Sequence, residues 1–216
     1  KLGKLGFESG STTVQAWEQL RERAKSLELV AVPSAVEHLR MVKDSQEVAE
    51  IRDAVHQAQR GFEVLKASLR GDMTELQAAH VLEHAMRGFG ALHASFEPIV
   101  AVGPGAALAH YRPSDNRICD ADFLLIDWGA CNRQGYKSDL TRVLATGKIS
   151  TKLSKIYRVV LKAQLKAIEV IRPGIRGSDV DAVARSIIEE AGYGKNFGHG
   201  WGHGSGLDTH EPHRLA

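Results

Sequence analysis

The sequence predicts an α+β layer fold, with helices segregated against a mostly antiparallel sheet. Three observations carry this. Two long stretches place apolar residues three and four positions apart, each opened by a capping signature. Short apolar runs bounded by turn residues follow them. The order is helix, helix, strands, helix, helix, then a glycine-rich strand.

The elements follow in chain order. Ser11-Thr12-Thr13 offers a cap for a helix through VQAWEQLRERAKSL, and LELVAVP (27–33) reads as a short strand closed by Pro33. One helix and one strand cannot bury a core of their own. From Asp44 to Leu69, Val48, Ile51, Val55, Ala58, Phe62, Leu65 and Leu69 form one apolar stripe. Asp44 is its expected N-cap, with Glu47 three residues on. Thr74 and Gln77 repeat that signature for a helix to about Arg87. Phe96–Val102 and Asp122–Asp127 read as strands, separated by GPGAALAHYRPSDNRICD. Gly135 and Tyr136 turn the chain, and Ser138–Ala145 returns as a strand. Ser150 opens a helix with Leu153, Ile156, Val160 and Ala163 on one face. Ser178 is expected to cap the next, with Asp181 in the box position and Gly192 at its end.

Bulk composition narrows the functional classes. The 216 residues carry 28 basic and 26 acidic side chains, a formal net charge of +2, which gives no footprint for nucleic acid. No apolar run reaches membrane-spanning length, so no membrane partner is expected. The two cysteines, Cys119 and Cys131, are no disulfide scaffold, and a reducing, cytoplasmic setting is expected. The positive charges of KLSKIYRVVLKAQLKAIEVIR (152–172) fall on the wet side of an apolar repeat. The chain begins without Met, and truncation at both ends is expected.

Chemistry is expected in three places. In FLLIDWGACNRQGYKSDLTR (123–142), Asp127 and Asp139 flank a glycine-containing turn; paired as a hairpin, both carboxylates reach one cleft. Two close carboxylates repel unless protonated or bridged by cations. Each is also readable as a turn or capping Asp, which is the commoner job. His110 follows the small-residue run GPGAALA, which lets a ligand approach backbone; a surface-loop role is the plain alternative. NFGHGWGHGSGLDTHEPHRLA holds four histidines among five glycines. The glycines rule out a zinc-binding helix. In an extended chain His199 and His203 share a face and His210 lies on the other unless a turn intervenes, so at most two are ligands of one ion.

Together these stretches resemble the pita-bread-fold metallopeptidases, which include X-Pro aminopeptidases, prolidases, methionine aminopeptidases and the creatinase branch. That family shows a His, then D-x-G, then S-D-x-T-R, then G-H-G-x-G-H-G-x-G-L-x-x-H-E. Here they read His110, Asp127-Trp128-Gly129, Ser138-Asp139-Leu140-Thr141-Arg142, and Gly198 to Glu211. The resemblance runs from about residue 40 to the end. Residues 1–40 look like the close of an N-terminal α/β domain with its linker, and 41–216 like a partial catalytic domain, incomplete at its C-terminus.

The resemblance implies two divalent metal ions (Mn, Co or Zn) held by two Asp, one His and two Glu. Asp127, Asp139 and His203 match three of these. His110, His199 and His210 match histidines that line the substrate site. The two Glu have no matching segment, and Glu211 belongs to the H-E pair instead. The implied reaction is hydrolysis of X-Pro peptide bonds by a metal-activated water, with a proline-containing peptide as substrate. A homodimer is a family expectation only. Creatinase-like C–N hydrolysis and a non-catalytic peptide- or protein-binding relative are the alternatives. Two departures stand out. Asp127 and Asp139 are twelve apart where about eleven is expected, which asks for a bulge. His213 occupies a position where the family has Pro, and no role is assigned to it.

Overall fold

The computed structural model describes residues 3–215, with the backbone alone at 213 and 214. The chain divides into two compact units, Lys1–Val42 and Lys43–Ala216.

In the first unit, β1 (Lys4–Phe7) and β2 (Glu28–Ala31) pair in parallel, joined by α1 (Val14–Arg23) and followed by α2 (Ala35–Arg40). The helix starts where the sequence places it, since Thr13 Oγ1 accepts from Ala16 N at 3.2 Å. β1 and α2 were not legible in the sequence: each is too short to show a period. Phe7 stacks on Trp17 with ring centroids 4.6 Å apart, yet no described residue of this unit is buried.

The second unit opens on α3 (Ser45–Ser68) and α4 (Glu75–Gly88), both started by capping boxes. Asp44 Oδ1 accepts from Glu47 N at 2.9 Å while Glu47 Oε2 accepts from Asp44 N at 2.8 Å. Thr74 and Gln77 make the same exchange. The sheet comprises β4 (Ile99–Val102), β5 (Phe123–Trp128) and β7 (Leu140–Ala145), all antiparallel, with β5 central. A second ribbon pairs β3 (His93–Ala94) with β6 (Ala130–Cys131). Alternation along β5 buries Leu124, Ile126 and Trp128 and turns Asp127 to the opposite face. Those buried residues pack with Val100 and with Phe62, Leu65, Leu82 and Met86 of the helices. Trp128 stacks on Phe62 at 4.6 Å and donates its indole N–H to Ala58 O at 3.0 Å. Burial of each such large side chain contributes about 1.5–3 kcal/mol.

α5 (Thr151–Val170) and α6 (Gly177–Glu190) form a second core from Ala163, Ala167, Val180, Ala184 and Ile188, against which Trp201 and Leu215 pack. Two expectations fail here. Val160, placed on the inward face by sequence, is 52% exposed; the alanines take the contact because small residues let α5 and α6 approach closely. Ser178 does not cap α6. The helix begins at Gly177 behind Arg176, and Asp181 is drawn away from the box position by Arg185, which grips it at 2.7 and 3.0 Å. The closing ribbon pairs β8 (Gly202–Gly204) with β9 (Glu211–Leu215), with a register shift at His203/Gly204. Among the described residues no helix is long and apolar enough to cross a membrane.

The bulge expected between the two aspartates is absent. The β5–β7 register runs unbroken from Phe123↔Ala145 to Trp128↔Leu140. It continues through Ser138 N to Ala130 O (3.0 Å) and closes at Asn132 N to Tyr136 O (2.9 Å). The turn therefore absorbs the extra residue. Gly129 makes this closure possible: a Cβ there would lie 1.8 Å from Ser138 O and 2.1 Å from Ser95 Oγ. Gly129→Ala must force two backbones apart, and equilibrium urea unfolding should show a loss of at least about 3 kcal/mol. A loss below about 1 kcal/mol would mean that the hairpin opens freely at this point.

Candidate metal centre

Register alone brings the two acids together. Asp127 is the cross-strand partner of Thr141, and Asp139 lies two residues before Thr141. Both aspartates therefore share one face, diagonal across the hairpin. Thr141 Oγ1 donates to Asp127 Oδ1 at 2.8 Å. Ser138, buried beside Asp139, ties the hairpin down: its hydroxyl accepts from Ala130 N at 2.9 Å and donates to Ala54 O at 3.1 Å. Ser95 Oγ donates to Ser138 O at 2.7 Å. These roles of Gly129, Ser138 and Thr141 were missed in the sequence, because each depends on a partner across the hairpin.

The histidines arrive from the β8–β9 ribbon. The turn between the strands overrides the alternation expected of an extended chain and sets the His203 and His210 rings 4.2 Å apart. His203 Nε2 lies 3.5 Å from Asp139 Oδ2, while its Nδ1 meets Gly204 O at 3.0 Å. In the tautomer that donates Nδ1–H to that carbonyl, Nε2 presents a lone pair toward the Asp139 carboxylate. Two acceptors facing across a short gap are the arrangement a cation relieves.

Electrostatics point the same way. Burial raises the Asp127 carboxyl above the ordinary aspartate range; the Thr141 hydrogen bond opposes this, the Asp139 charge adds to it, and His203 and His210 lower it. Asp139 is also raised by burial, against His203. Its side chain is 26% exposed, although the residue as a whole is open to solvent through its backbone.

The other candidates lie on exposed segments. His110 is exposed on the loop behind the 3-10 turn Gly103–Ala107, whose neighbour Tyr111 donates its hydroxyl to the buried Glu75 at 2.7 Å. His199 is exposed; its carbonyl accepts from Arg185 at 3.0 Å. No ion pair or hydrogen bond among the described residues joins either to the acidic pair. The His213 side chain lies outside the described residues. Among those described, no group of three or more His, Cys, Asp or Glu encloses an ion position. A cleft of about 640 Å³ beside α5, lined by Ile149, Lys155, Arg158 and Lys162 among others, contains none of the candidates.

The raised carboxyls predict a pH signature. A carboxyl whose value is higher folded than unfolded keeps its full contribution to stability in acid and loses it as pH rises through the folded value. Asp127→Asn keeps the Thr141 hydrogen bond and removes the charge. In metal-free protein it should raise the unfolding temperature at neutral pH, with the gain vanishing in acid. Equal stability at neutral pH would show that the acidic pair is not under strain.

The chain is similar to known proteins over nearly all of its length. Residues 49–216 match the metallopeptidase family M24. An uncharacterized peptidase of Bacillus subtilis, YqhT, is 38% identical over 215 residues, covering 100% of this chain and 61% of its own length. The structure of an Xaa-Pro dipeptidase from Bacillus anthracis superposes with a TM-score of 0.94 at 39% identity, over 99% of this chain and 60% of that one. An X-Pro aminopeptidase from Thermotoga maritima gives 0.92 at 33% identity, over 99% and 60%. The chain thus spans about three-fifths of the length of the relatives it matches. With its hairpin-borne acid pair, its ribbon histidines and a match across most of its length, the chain belongs to the pita-bread-fold metallopeptidase family M24.

Proposed function

We propose that the protein carrying this chain is a metal-dependent peptidase that hydrolyses X-Pro peptide bonds, and that Asp127, Asp139 and His203 contribute to a dinuclear metal site. The observation that carries this reading is the acid pair on one hairpin face with His203 Nε2 3.5 Å from Asp139. The donor set fits divalent ions: oxygen and imidazole ligands suit Mn²⁺, Co²⁺ or Zn²⁺, and two carboxylates offset the charge. The family's two further Glu donors have no matching segment in this sequence. Family membership and the dipeptidase and aminopeptidase relatives support the substrate class.

Bound divalent ions supply a water acidic enough to attack a carbonyl at neutral pH. The chain's own side chains do the rest. Thr141 holds Asp127 Oδ1 and leaves its other oxygen free to ligate. The Gly204 carbonyl fixes His203 so that Nε2 faces Asp139. His210, whose ring lies against that of His203, would donate a hydrogen bond to the developing oxyanion. His110 and His199 sit on exposed loops and meet the substrate from the solvent side. The two cysteines, neither in a disulfide, support a reducing, cytoplasmic setting.

The test uses the full-length protein with Mn²⁺, Co²⁺ or Zn²⁺ and X-Pro peptides of two or more residues. Chelation should abolish hydrolysis and added metal should restore it. Asp139→Ala should abolish both tight metal binding and cleavage; unchanged activity sinks the ligand assignment. His110→Ala should retain the metals and slow turnover by about 10²–10³-fold, whereas metal loss would contradict its substrate-side role.

A further inference from the structure

The acids and the histidines lie on different sheets, since among the described residues β8–β9 makes no strand pairing with β4–β5–β7. Their relative position rests on other ties. Lys137 N donates to Gly206 O at 2.8 Å, and Thr209 Oγ1 to Ser95 O at 3.2 Å. The start of α3 reaches both sides. Glu47 accepts from the Tyr136 hydroxyl at 3.0 Å and Glu50 from Asn132 Nδ2 at 2.8 Å, both in the turn of the acid hairpin. One residue before the α3 cap, Lys43 Nζ meets Glu211 Oε2 at 2.5 Å, with the two side chains 14% and 3% exposed.

Glu211 directly follows His210 and is the cross-strand partner of Gly204, which directly follows His203. A Cβ on Gly206 would fall 2.7 Å from Glu211 Oε1 and 3.0 Å from Lys43 Cε, so the ribbon turn leaves room for this pair and little else. We propose that Lys43 is a positioning residue: through Glu211 it fixes the His203–His210 pair relative to the acid hairpin. Lys43 also neutralises a nearly buried carboxylate. The consequence for turnover rests on the peptidase reading; the placement of the rings does not.

The experiment uses the full-length protein and the variants Lys43→Met, Lys43→Arg and Glu211→Gln, each checked for a native circular dichroism spectrum. Three quantities are read: imidazole ¹H–¹⁵N resonances of His203 and His210 in metal-free protein, Mn²⁺ affinity by calorimetry, and kcat and KM on an X-Pro dipeptide. Lys43→Met keeps the aliphatic stem and removes the charge. It should move both ring signals and weaken Mn²⁺ binding by about 10–100-fold. It should lower kcat by about tenfold or more with KM within about threefold. Lys43→Arg should recover most of each, and Glu211→Gln should reproduce the Lys43→Met pattern. If Lys43→Met does not fold, the ring signals of Glu211→Gln decide. Unmoved ring signals with unchanged Mn²⁺ affinity in a folded variant overturn the proposal. A wild-type protein that binds no Mn²⁺ and cleaves no X-Pro peptide overturns the peptidase reading, and the ring signals then decide the positioning role alone.

Discussion

Two carboxylates held on one face of one hairpin are the constraint on which the rest of the structure depends. Strand pairing fixes Asp127 opposite Thr141, so Asp139 cannot turn away without breaking the register. Like charges at that spacing, partly withdrawn from water, are unfavourable until protonated or bridged by a cation. Only a rigid support keeps them there. Trp128 supplies part of it by burying the strand's other face against Phe62 and Ala58. Ser138 supplies more, by joining the hairpin to Ala130 and to Ala54 of α3.

α3 is thus more than a wall of the core. Its stripe packs on the sheet, while Lys43, Glu47 and Glu50 at its start hold the histidine ribbon and the hairpin turn. Nearly buried ion pairs such as Lys43–Glu211 add little net stability, yet loss of one partner costs about 3–5 kcal/mol because the other charge is stranded. Such a contact specifies geometry more than it stabilises. On the far side, Arg185 grips Asp181 and the carbonyls of Phe197 and His199, and Asp181 accepts from Trp201 N at 2.9 Å. The glycine-rich stretch is therefore anchored before and after His203, and at Gly206 it leaves room for the Lys43–Glu211 pair.

Legibility in the sequence followed the range of the interaction. The caps at Asp44, Thr74 and Ser150 were readable because the donor and acceptor lie three residues apart. The α3 stripe and the β5 alternation were readable from their periods. Ser178 misled because local cap chemistry lost to the Arg185–Asp181 pair, a contact that also ties α6 to the glycine-rich stretch. Asp127, Asp139 and His203 were nameable from motif order. What brings them together was not: Thr141 on Asp127 is a contact across strands, and Lys43 on Glu211 one across most of the chain. His110 and His199 were named by their motifs as substrate-side groups, and both are exposed.

By the proposed reading, the Asp127–Asp139 face and His203 hold a divalent metal. Anomalous diffraction at the manganese edge, from crystals of the full-length protein grown with Mn²⁺, tests it most directly. Anomalous peaks are expected within bonding distance of the Asp127 and Asp139 carboxylates and of His203 Nε2, at about 2.0–2.3 Å. A protein without a peak between these residues, or with Mn²⁺ bound only elsewhere, would contradict it.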